Sequence, residues 1–168
     1  MKPMQIKRFF KHLFSTPWHA RRYFSHTAMH NIEAAIRQSE CTHTGEIRFV
    51  VEAGLHPMDL IMGKSPRQRA LELFTRLGIW DTADNNGVLI YLQLADRDVE
   101  IVADRGIHGH VGAGGWEAVC REMEAAFRRG QFESGVLSGI QQIGKVLQKH
   151  FPATTANNNE LPDAPLVI

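Results

Sequence analysis

The chain has 168 residues, of which 43% are hydrophobic and 22% are charged. This length and composition are typical of one globular domain with short appendages, and they exclude a fibrous or wholly disordered chain. Two cysteines, Cys41 and Cys120, are too few for a disulfide scaffold. No stretch of the sequence reaches the roughly 18 consecutive apolar residues of a membrane span.

Charge is unevenly distributed along the chain. The total is almost balanced, with 19 lysines and arginines against 18 aspartates and glutamates. The first 32 residues nevertheless contain six basic residues and no acidic residue before Glu33, which gives them a net charge of +6. The remainder has 13 basic and 18 acidic residues. A basic segment joined to a mildly acidic domain indicates an anionic surface as the partner of that segment.

Residues 1–26 are predicted to form a basic arm that begins with an amphipathic helix at residues 4–15, ended by Pro17. Its apolar residues recur at helical spacing and form one stripe: Ile6, Phe9, Phe10, Leu13 and Phe14. Its basic residues lie off the stripe: Lys7, Arg8 and Lys11. Such a helix suits the interface of an anionic membrane; the alternative is that the stripe packs on the domain or on a protein partner. No recognition motif follows the arm, so we expect no nucleic-acid partner.

The first half of the domain reads as helix, strand, helix and strand. Residues 27–40 have one apolar face, and residues 46–53 alternate as a strand does. A helix begins after Ser65, because Pro66 and Gln68 complete a capping signal, and Gly78 ends it. Residues 88–94 are an almost continuous apolar run, which predicts a strand that is buried on both faces.

The second half begins with residues 99–103, which follow a tight polar turn at 95–98 and must therefore pair as an antiparallel hairpin. We predict a glycine-rich loop over residues 105–115, then a helix from Trp116 to Gly130. A last helix covers about residues 132–150, and residues 153–168 are predicted to be a disordered tail. This order predicts an α/β/α sandwich in which helices cover both faces of a small mixed β-sheet, with the domain spanning residues 27–152.

Acidic and amide side chains are expected to converge at one end of this sheet. The hairpin returns the end of its second strand to the start of its first, and a parallel strand 46–53 would begin at the same end. The residues placed there are Glu46, Asp81, Asp84, Asn85, Asn86 and Asp104. Their oxygens are the ligands that calcium and magnesium prefer. Arg105 could neutralise a carboxylate there or bind an anion.

Other readings of the polar residues remain open. Asp- and Asn-rich runs are also ordinary turn chemistry, and the spacing is not that of an EF-hand. The glycine-rich loop lacks the lysine of a P-loop. His108 and His110 are expected to be solvent-exposed rather than metal ligands. Cys41 and Cys120 are expected to be an inert thiol and a core residue. No set of residues predicts a nucleophilic triad.

Taken in order, several short stretches resemble the TPM domain family over about residues 27–152. Those that carry the resemblance are Thr44-Gly45-Glu46-Ile47, Ala70-Leu71-Glu72-Leu73-Phe74, Asn85-Asn86-Gly87-Val88, Asp96-Arg97, Gly106-Ile107-His108-Gly109 and Gly130-Gln131-Phe132. The resemblance implies an α/β/α sandwich and binding of calcium or magnesium. The family positions for that binding match Glu46, Asp84, Asn85 and Asn86. A plant member is described as an acid phosphatase, whereas other members lack that activity.

The sequence also departs from the family pattern. Most members carry a signal peptide and a membrane anchor after the domain, neither of which is seen here, so we expect a cytoplasmic protein of a short bacterial branch, peripheral to the inner membrane through its arm. Such proteins accompany membrane-anchored TPM or LemA-type proteins, which are therefore expected partners. Where many members have Gly-Tyr-Gly, this chain has Asp104-Arg105-Gly106, so its site differs in charge.

Two functions follow from these observations. The first is a non-enzymatic interaction module that binds a divalent cation and acts at or near the membrane. The second is a metal-dependent phosphatase acting on phosphomonoesters, in which the cation polarises the phosphoryl group and Arg105 braces the anion. The lack of a recognisable nucleophile and base favours the module.

Overall fold

The computed structural model describes residues 3–153 and 159–168, with the backbone alone for residues 3–5. Its sheet has four strands in the order β3-β2-β1-β4, namely β1 (Ile47–Glu52), β2 (Val88–Gln93), β3 (Asp98–Ala103) and β4 (Leu166–Val167). β1 is parallel to both of its neighbours, and β3 is antiparallel to β2. The predicted mixed sheet and its hairpin are therefore confirmed.

Helices lie on both sides of this sheet. They are α1 (Pro3–Leu13), α2 (Pro17–Tyr23), α3 (His26–Glu40), α4 (Pro57–Ile61), α5 (Pro66–Arg76), α6 (Arg105–Arg128) and α7 (Phe132–His150). The larger core joins one sheet face to α2, α3, α6 and α7 and contains Phe49, Ile90 and Ile140. The smaller core joins the opposite face to α5 and the C-terminal residues. This arrangement is the expected α/β/α sandwich.

The central strands follow from their apolar sequences. Every residue of β1 and of β2 is buried, as expected for strands covered by helices on both faces. α5 begins with the predicted capping box, in which the Ser65 hydroxyl accepts the Gln68 N–H and the Gln68 side chain accepts the Ser65 N–H. These local signals place the elements that form the core.

The glycine-rich segment 105–115 differs from the predicted loop. It is helical from Arg105, where the Asp104 carboxylate accepts the first N–H of α6. The helix changes direction at Gly112, whose φ of 70° and ψ of 170° are not helical. The N-cap and the freedom of glycine at the break explain why a helix forms here in spite of the poor helix propensity of the sequence.

The C-terminal residues also differ from the prediction of a disordered tail over 153–168. Residues 154–158 lie outside the described part of the chain. β4 pairs with Val50 and Val51 of β1, and the Ile168 N–H donates to the Val51 carbonyl at 3.0 Å. Leu161, Leu166 and Ile168 pack on the smaller core. The edge of β1 and this apolar surface provide the binding energy that the tail sequence alone does not reveal.

The predicted arm consists of two helices. Pro17 ends the pattern of α1, as predicted, and it also begins α2. Ala20 and Phe24 are buried in the larger core, so the folded unit begins before the predicted boundary at residue 27. Among the residues described, no helix is long and apolar enough to cross a membrane.

Candidate functional site

The start of β1, the start of β2 and the end of β3 lie together at what we call the amino end of the sheet. Pairing of Val88 with both Ile47 and Ala103 brings these three strand termini side by side. Beyond the strands, the Asp104 N–H donates to the Gly87 carbonyl at 2.9 Å and the Gly106 N–H donates to the Asn85 carbonyl at 3.0 Å. The loop before β2 is therefore bound to the first turn of α6.

Thr44 connects two of the predicted site residues. Its hydroxyl donates to Asp84 Oδ2 at 2.9 Å and accepts a hydrogen bond from Asn86 Nδ2 at 3.1 Å. The Asn86 N–H in turn donates to the Thr82 hydroxyl at 3.1 Å. We did not predict a role for Thr44, although its position two residues before Glu46 at the opening of β1 was a usable signal.

Two oxygens of this region are buried without a hydrogen-bond partner among the described residues: Asn86 Oδ1 and Asp104 Oδ2. Asn86 is entirely buried. Buried acceptors are nearly always satisfied in folded proteins, so each unsatisfied one requires an explanation. Carboxylate and amide oxygens are ligands that calcium and magnesium accept, so these residues fit a divalent cation in the chemistry of their donor atoms.

Arg105 places a positive charge beside these acidic residues at the amino end of the sheet. Its Nε donates to Asn85 Oδ1 at 3.2 Å, and its backbone N–H donates to Asp104 Oδ1 at 2.6 Å. Asn85 has a φ of 53°, a left-handed conformation that asparagine tolerates. The charges of Arg105, Asp84 and Asp104 together give this region a formal charge of −1. We call Thr44, Asp84, Asn85, Asn86, Asp104 and Arg105 the sheet-end cluster.

Glu46 and Asp81 are placed differently from the other predicted ligands. Glu46 is entirely buried, and its two carboxylate oxygens accept the N–H groups of Glu160 and Leu161 at 3.2 and 3.1 Å. Burial raises the pKa of Glu46, although these two hydrogen bonds oppose the shift. Asp81 is exposed in the turn after α5. Within residues 3–153 and 159–168, no three acidic, histidine or cysteine side chains are grouped as metal ligands.

The histidines of α6 do not form the pair that their spacing allows. The His110 ring stacks on the His150 ring with centroids 4.2 Å apart, and His108 is exposed. His150 precedes Phe151, whose carbonyl accepts the Thr44 N–H at 2.8 Å. The stacked histidines are thus connected to the sheet-end cluster through the backbone at the end of α7.

The opposite end of the sheet, where β1 and β2 finish, is covered by α1. Arg8 Nε donates to Asp96 Oδ2 at 2.8 Å, and His12 Nε2 lies 3.0 Å from the same oxygen. The Leu55 N–H donates to His12 Nδ1 at 3.0 Å, so His12 Nε2 carries the proton donated to Asp96. Burial alone would raise the pKa of Asp96, but the hydrogen bonds from His12 and Arg8 lower it.

This contact orients α1 unexpectedly. The polar residues Arg8 and His12 face the domain, and His12 is only 2% exposed. The predicted apolar stripe instead lies on the surface, with Ile6, Phe10, Leu13 and Phe14 exposed and Phe9 half-buried. Lys7 and Lys11 are exposed as well. The stripe as a whole is therefore not buried against the domain, whereas contact with a membrane and packing on a protein partner both stay open.

Several solved structures are similar to the chain. One is the NMR structure of the BA42 protein from the psychrophilic bacterium Bizionia argentinensis, with 29% identity, a TM-score of 0.76, and coverage of 86% of this chain and 95% of that chain. A second is the N-terminal domain of a protein from P. gingivalis, with 20% identity, a TM-score of 0.61, and coverage of 78% of this chain and 82% of that chain. The second likeness shows the fold alone. No curated protein matches the chain.

Residues 20–146 match the TPM domain family. This range begins at the buried Ala20 and ends within α7, so it includes the sheet-end cluster and the hairpin that contacts α1. The chain belongs to the TPM domain family.

Proposed function

We propose that this protein is a non-enzymatic interaction module that binds calcium or magnesium at the sheet-end cluster and acts at a membrane face. The main support for a cation site is that two oxygens, Asn86 Oδ1 and Asp104 Oδ2, are buried without a hydrogen-bond partner among the described residues. Leaving a buried acceptor unsatisfied costs about 1–3 kcal/mol. A divalent cation would remove that cost at both atoms.

The charge of the sheet-end cluster also favours a cation. Asp84 and Asp104 outnumber the single guanidinium of Arg105, and Arg105 Nε is engaged by the Asn85 side-chain oxygen. Thr44 fixes the side chains of Asp84 and Asn86 by hydrogen bonds. A site that is already ordered loses less conformational entropy when the ligand binds.

The location at a membrane is supported by the arm. Its apolar stripe is exposed, and the chain carries no acidic residue before Glu33. A basic helix with an exposed aromatic face suits the interface of an anionic bilayer. A membrane-anchored TPM or LemA-type protein is the corresponding protein partner that the family resemblance suggests.

A metal-dependent phosphatase is the second candidate, and one observation favours it. Arg105 is exposed, follows Asp104 and donates its Nε–H to Asn85, the residue after Asp84, which is a position that could bind a phosphoryl group next to a cation. The cluster otherwise consists of carboxylates, amides and a hydroxyl that are bonded to one another. We therefore rank the interaction module first.

The test is a titration of the full chain with calcium and with magnesium, followed by amide NMR. We expect the amides of residues 44–46, 84–87 and 104–106 to shift together. Asp104→Asn should weaken the affinity by about tenfold or more, because it removes one charged ligand. Asp81→Asn is the matched control, since Asp81 is exposed in a turn, and it should leave the affinity unchanged. No shift with either ion would contradict the cation site.

A phosphomonoester assay separates the two candidates. Turnover that depends on the cation and is lost in Asp84→Asn would favour the phosphatase over the module. Cation binding without turnover would favour the module. Asp81→Asn again serves as the control, because it removes a carboxylate from the same loop without altering the hydrogen bond to Thr44.

A further inference from the structure

We infer that α1 and α4 together form one preformed surface for an anionic lipid bilayer, which orients the sheet-end cluster away from the membrane. This inference rests on the membrane location in the proposed function and goes beyond it in two ways. It adds α4, for which the sequence analysis predicts no role, and it defines the orientation of the domain. The lipid-facing surface is defined by six exposed apolar residues: Phe10, Leu13, Phe14, Met58, Ile61 and Met62.

The two helices lie at the same end of the sheet. α4 follows β1 after only four residues, and it contacts α1. Phe14, Ile61 and Met62 are 69%, 66% and 77% exposed, which is unusual for large apolar side chains. Phe10 and Phe14 stack with ring centroids 6.4 Å apart. The exposed apolar residues therefore belong to two helices that contact each other although they are separate in the sequence, as expected of an interaction site.

α1 is fixed to the domain by its polar face rather than by its apolar face. Asp96 binds both Arg8 and His12, and the Leu55 N–H binds His12. Gly54 permits this close approach, because a Cβ atom at that position would lie 2.6 Å from the His12 carbonyl oxygen. The apolar stripe is therefore held outward by contacts that do not involve it, and the surface exists before any ligand binds.

The charges around the surface are complementary to anionic lipid. Lys7, Lys11, Arg21 and Arg22 are exposed on α1 and α2. Two acidic residues beside this surface form ion pairs: Asp96 pairs with Arg8, and Asp59 pairs at 2.8 Å with Lys64, which also binds Glu72. An open groove lined by Phe10, Phe14 and Tyr23 also includes Lys11 and Arg97, which places cations beside apolar side chains. This arrangement is complementary to a lipid, in which an anionic headgroup phosphate lies above apolar acyl chains.

This geometry separates lipid from the divalent cation. The lipid-facing surface lies where β1 and β2 end, whereas the sheet-end cluster lies where they begin. Six residues of extended strand span about 20 Å. The cation therefore does not bridge the protein to lipid phosphates, and lipid binding should not require calcium or magnesium.

The test is co-sedimentation of the full chain with vesicles of phosphatidylcholine and phosphatidylglycerol, and with vesicles of phosphatidylcholine alone. We expect binding to the anionic vesicles, weakened by salt and unchanged by EDTA. Phe14→Ser, directly after α1, and Ile61→Ser, at the end of α4, should each reduce the partition coefficient by about tenfold, because each removes a large apolar side chain from the interface. Trp80→Ser is the matched control, since Trp80 is 52% exposed but lies in the loop that leads to the sheet-end cluster; it should bind as the unaltered chain does.

Three results would overturn the inference. If Ile61→Ser binds as tightly as the unaltered chain, α4 is not part of the surface. If binding requires calcium, the orientation is wrong. If no vesicle binds while the cation titration still shifts the sheet-end amides, the lipid surface is wrong and the cation-binding proposal stands. Circular dichroism and thermal unfolding of each variant exclude misfolding as the cause of a loss.

Discussion

The buried carboxylate of Glu46 binds the backbone of Leu161, 115 residues away, with 3.1 Å between Glu46 Oε2 and the Leu161 nitrogen. The other oxygen accepts the Glu160 N–H at 3.2 Å. The Glu160 carboxylate accepts the Ala83 N–H in return, at 3.3 and 3.2 Å from its two oxygens. The C-terminal segment is therefore attached both to the start of β1 and to the loop that precedes β2.

Glu46→Gln is expected to destabilise the protein by about 1–3 kcal/mol, because an amide offers one acceptor oxygen where the carboxylate offers two, so the N–H of either Glu160 or Leu161 loses its charged partner. Urea unfolding measures the change, and hydrogen exchange at Leu161 should accelerate. Glu117→Gln is the control, since the Glu117 side chain is 68% exposed and pairs with Arg121 in its own helix. Equal stability of the two variants would mean that the Glu46 contacts do not attach the segment.

Glu40 provides a pH-dependent test of the same region. Burial, with the nearby carboxylates of Glu46 and Asp163, raises the pKa of Glu40 to about 9, although the hydrogen bond from the Ile47 N–H opposes the shift. The folded state thus binds a proton that the unfolded state releases near pH 4.5. The contribution of Glu40 to stability is greatest below pH 4.5 and falls as the pH rises towards about 9.

Glu40→Gln is neutral at every pH and keeps an acceptor for the Ile47 N–H. The stability of this variant relative to the unaltered chain should therefore increase between about pH 5 and pH 9, by up to about 1.4 kcal/mol per pH unit. Unfolding curves in urea at several pH values measure the difference. A constant difference across this range would show that Glu40 titrates normally in the folded state.

The contact between α1 and the domain should depend on Asp96. We expect Asp96→Asn to weaken it, because the charged acceptor of both Arg8 and His12 becomes a neutral amide oxygen. A hydrogen bond to a charged group contributes about 1.5–3 kcal/mol, and about 1.4 kcal/mol is a factor of ten, so tryptic cleavage in α1 should accelerate by at least about tenfold. Glu100→Gln is the matched control in the same hairpin, because Glu100 pairs with Arg67 of α5 at 3.4 Å and not with α1, so it should leave the cleavage rate unchanged.

Acid should have the same effect as the Asp96 substitution. The pKa of Asp96 is lowered in the folded protein, so the stabilisation is complete above its ordinary value of 3.8 and is lost as the pH falls through the folded-state value. Proteolysis with pepsin or hydrogen exchange at low pH would detect the release of α1. Equal protection of α1 in Asp96→Asn and in the unaltered chain would contradict this role.

Most of the fold was predictable because its elements have local signals. β2 is a continuous apolar run, and α5 carries a capping box at Ser65. β4 was not predictable, since its two residues are too few to show a period and its partner, Val50, is distant in sequence. The orientation of α1 was also hidden, because the usual rule places the apolar stripe inward, whereas here Asp96 selects the polar face.

The candidate site was predictable to the extent that it follows from the hairpin. Asp84, Asn86 and Asp104 come together because β2 and β3 are adjacent and antiparallel. Glu46 shares the same end of the sheet, but its carboxylate binds the C-terminal segment, which the sequence predicts to be disordered. Alternation along a strand gives the face that a side chain occupies and not the backbone groups that approach it from a distant segment.

The break in α6 gives a matched pair of glycines. Gly112 has a φ of 70° and a ψ of 170°, a conformation that is almost restricted to glycine, whereas Gly109 lies in the helical turn before it with open space where a Cβ would be. Gly112→Ala should destabilise the protein by about 1–3 kcal/mol. Gly109→Ala should stabilise it by about 0.5–1 kcal/mol, because alanine favours a helix. Thermal unfolding measures both. If residues 105–115 were a loop, the two substitutions would change the free energy of unfolding in the same direction and by similar amounts.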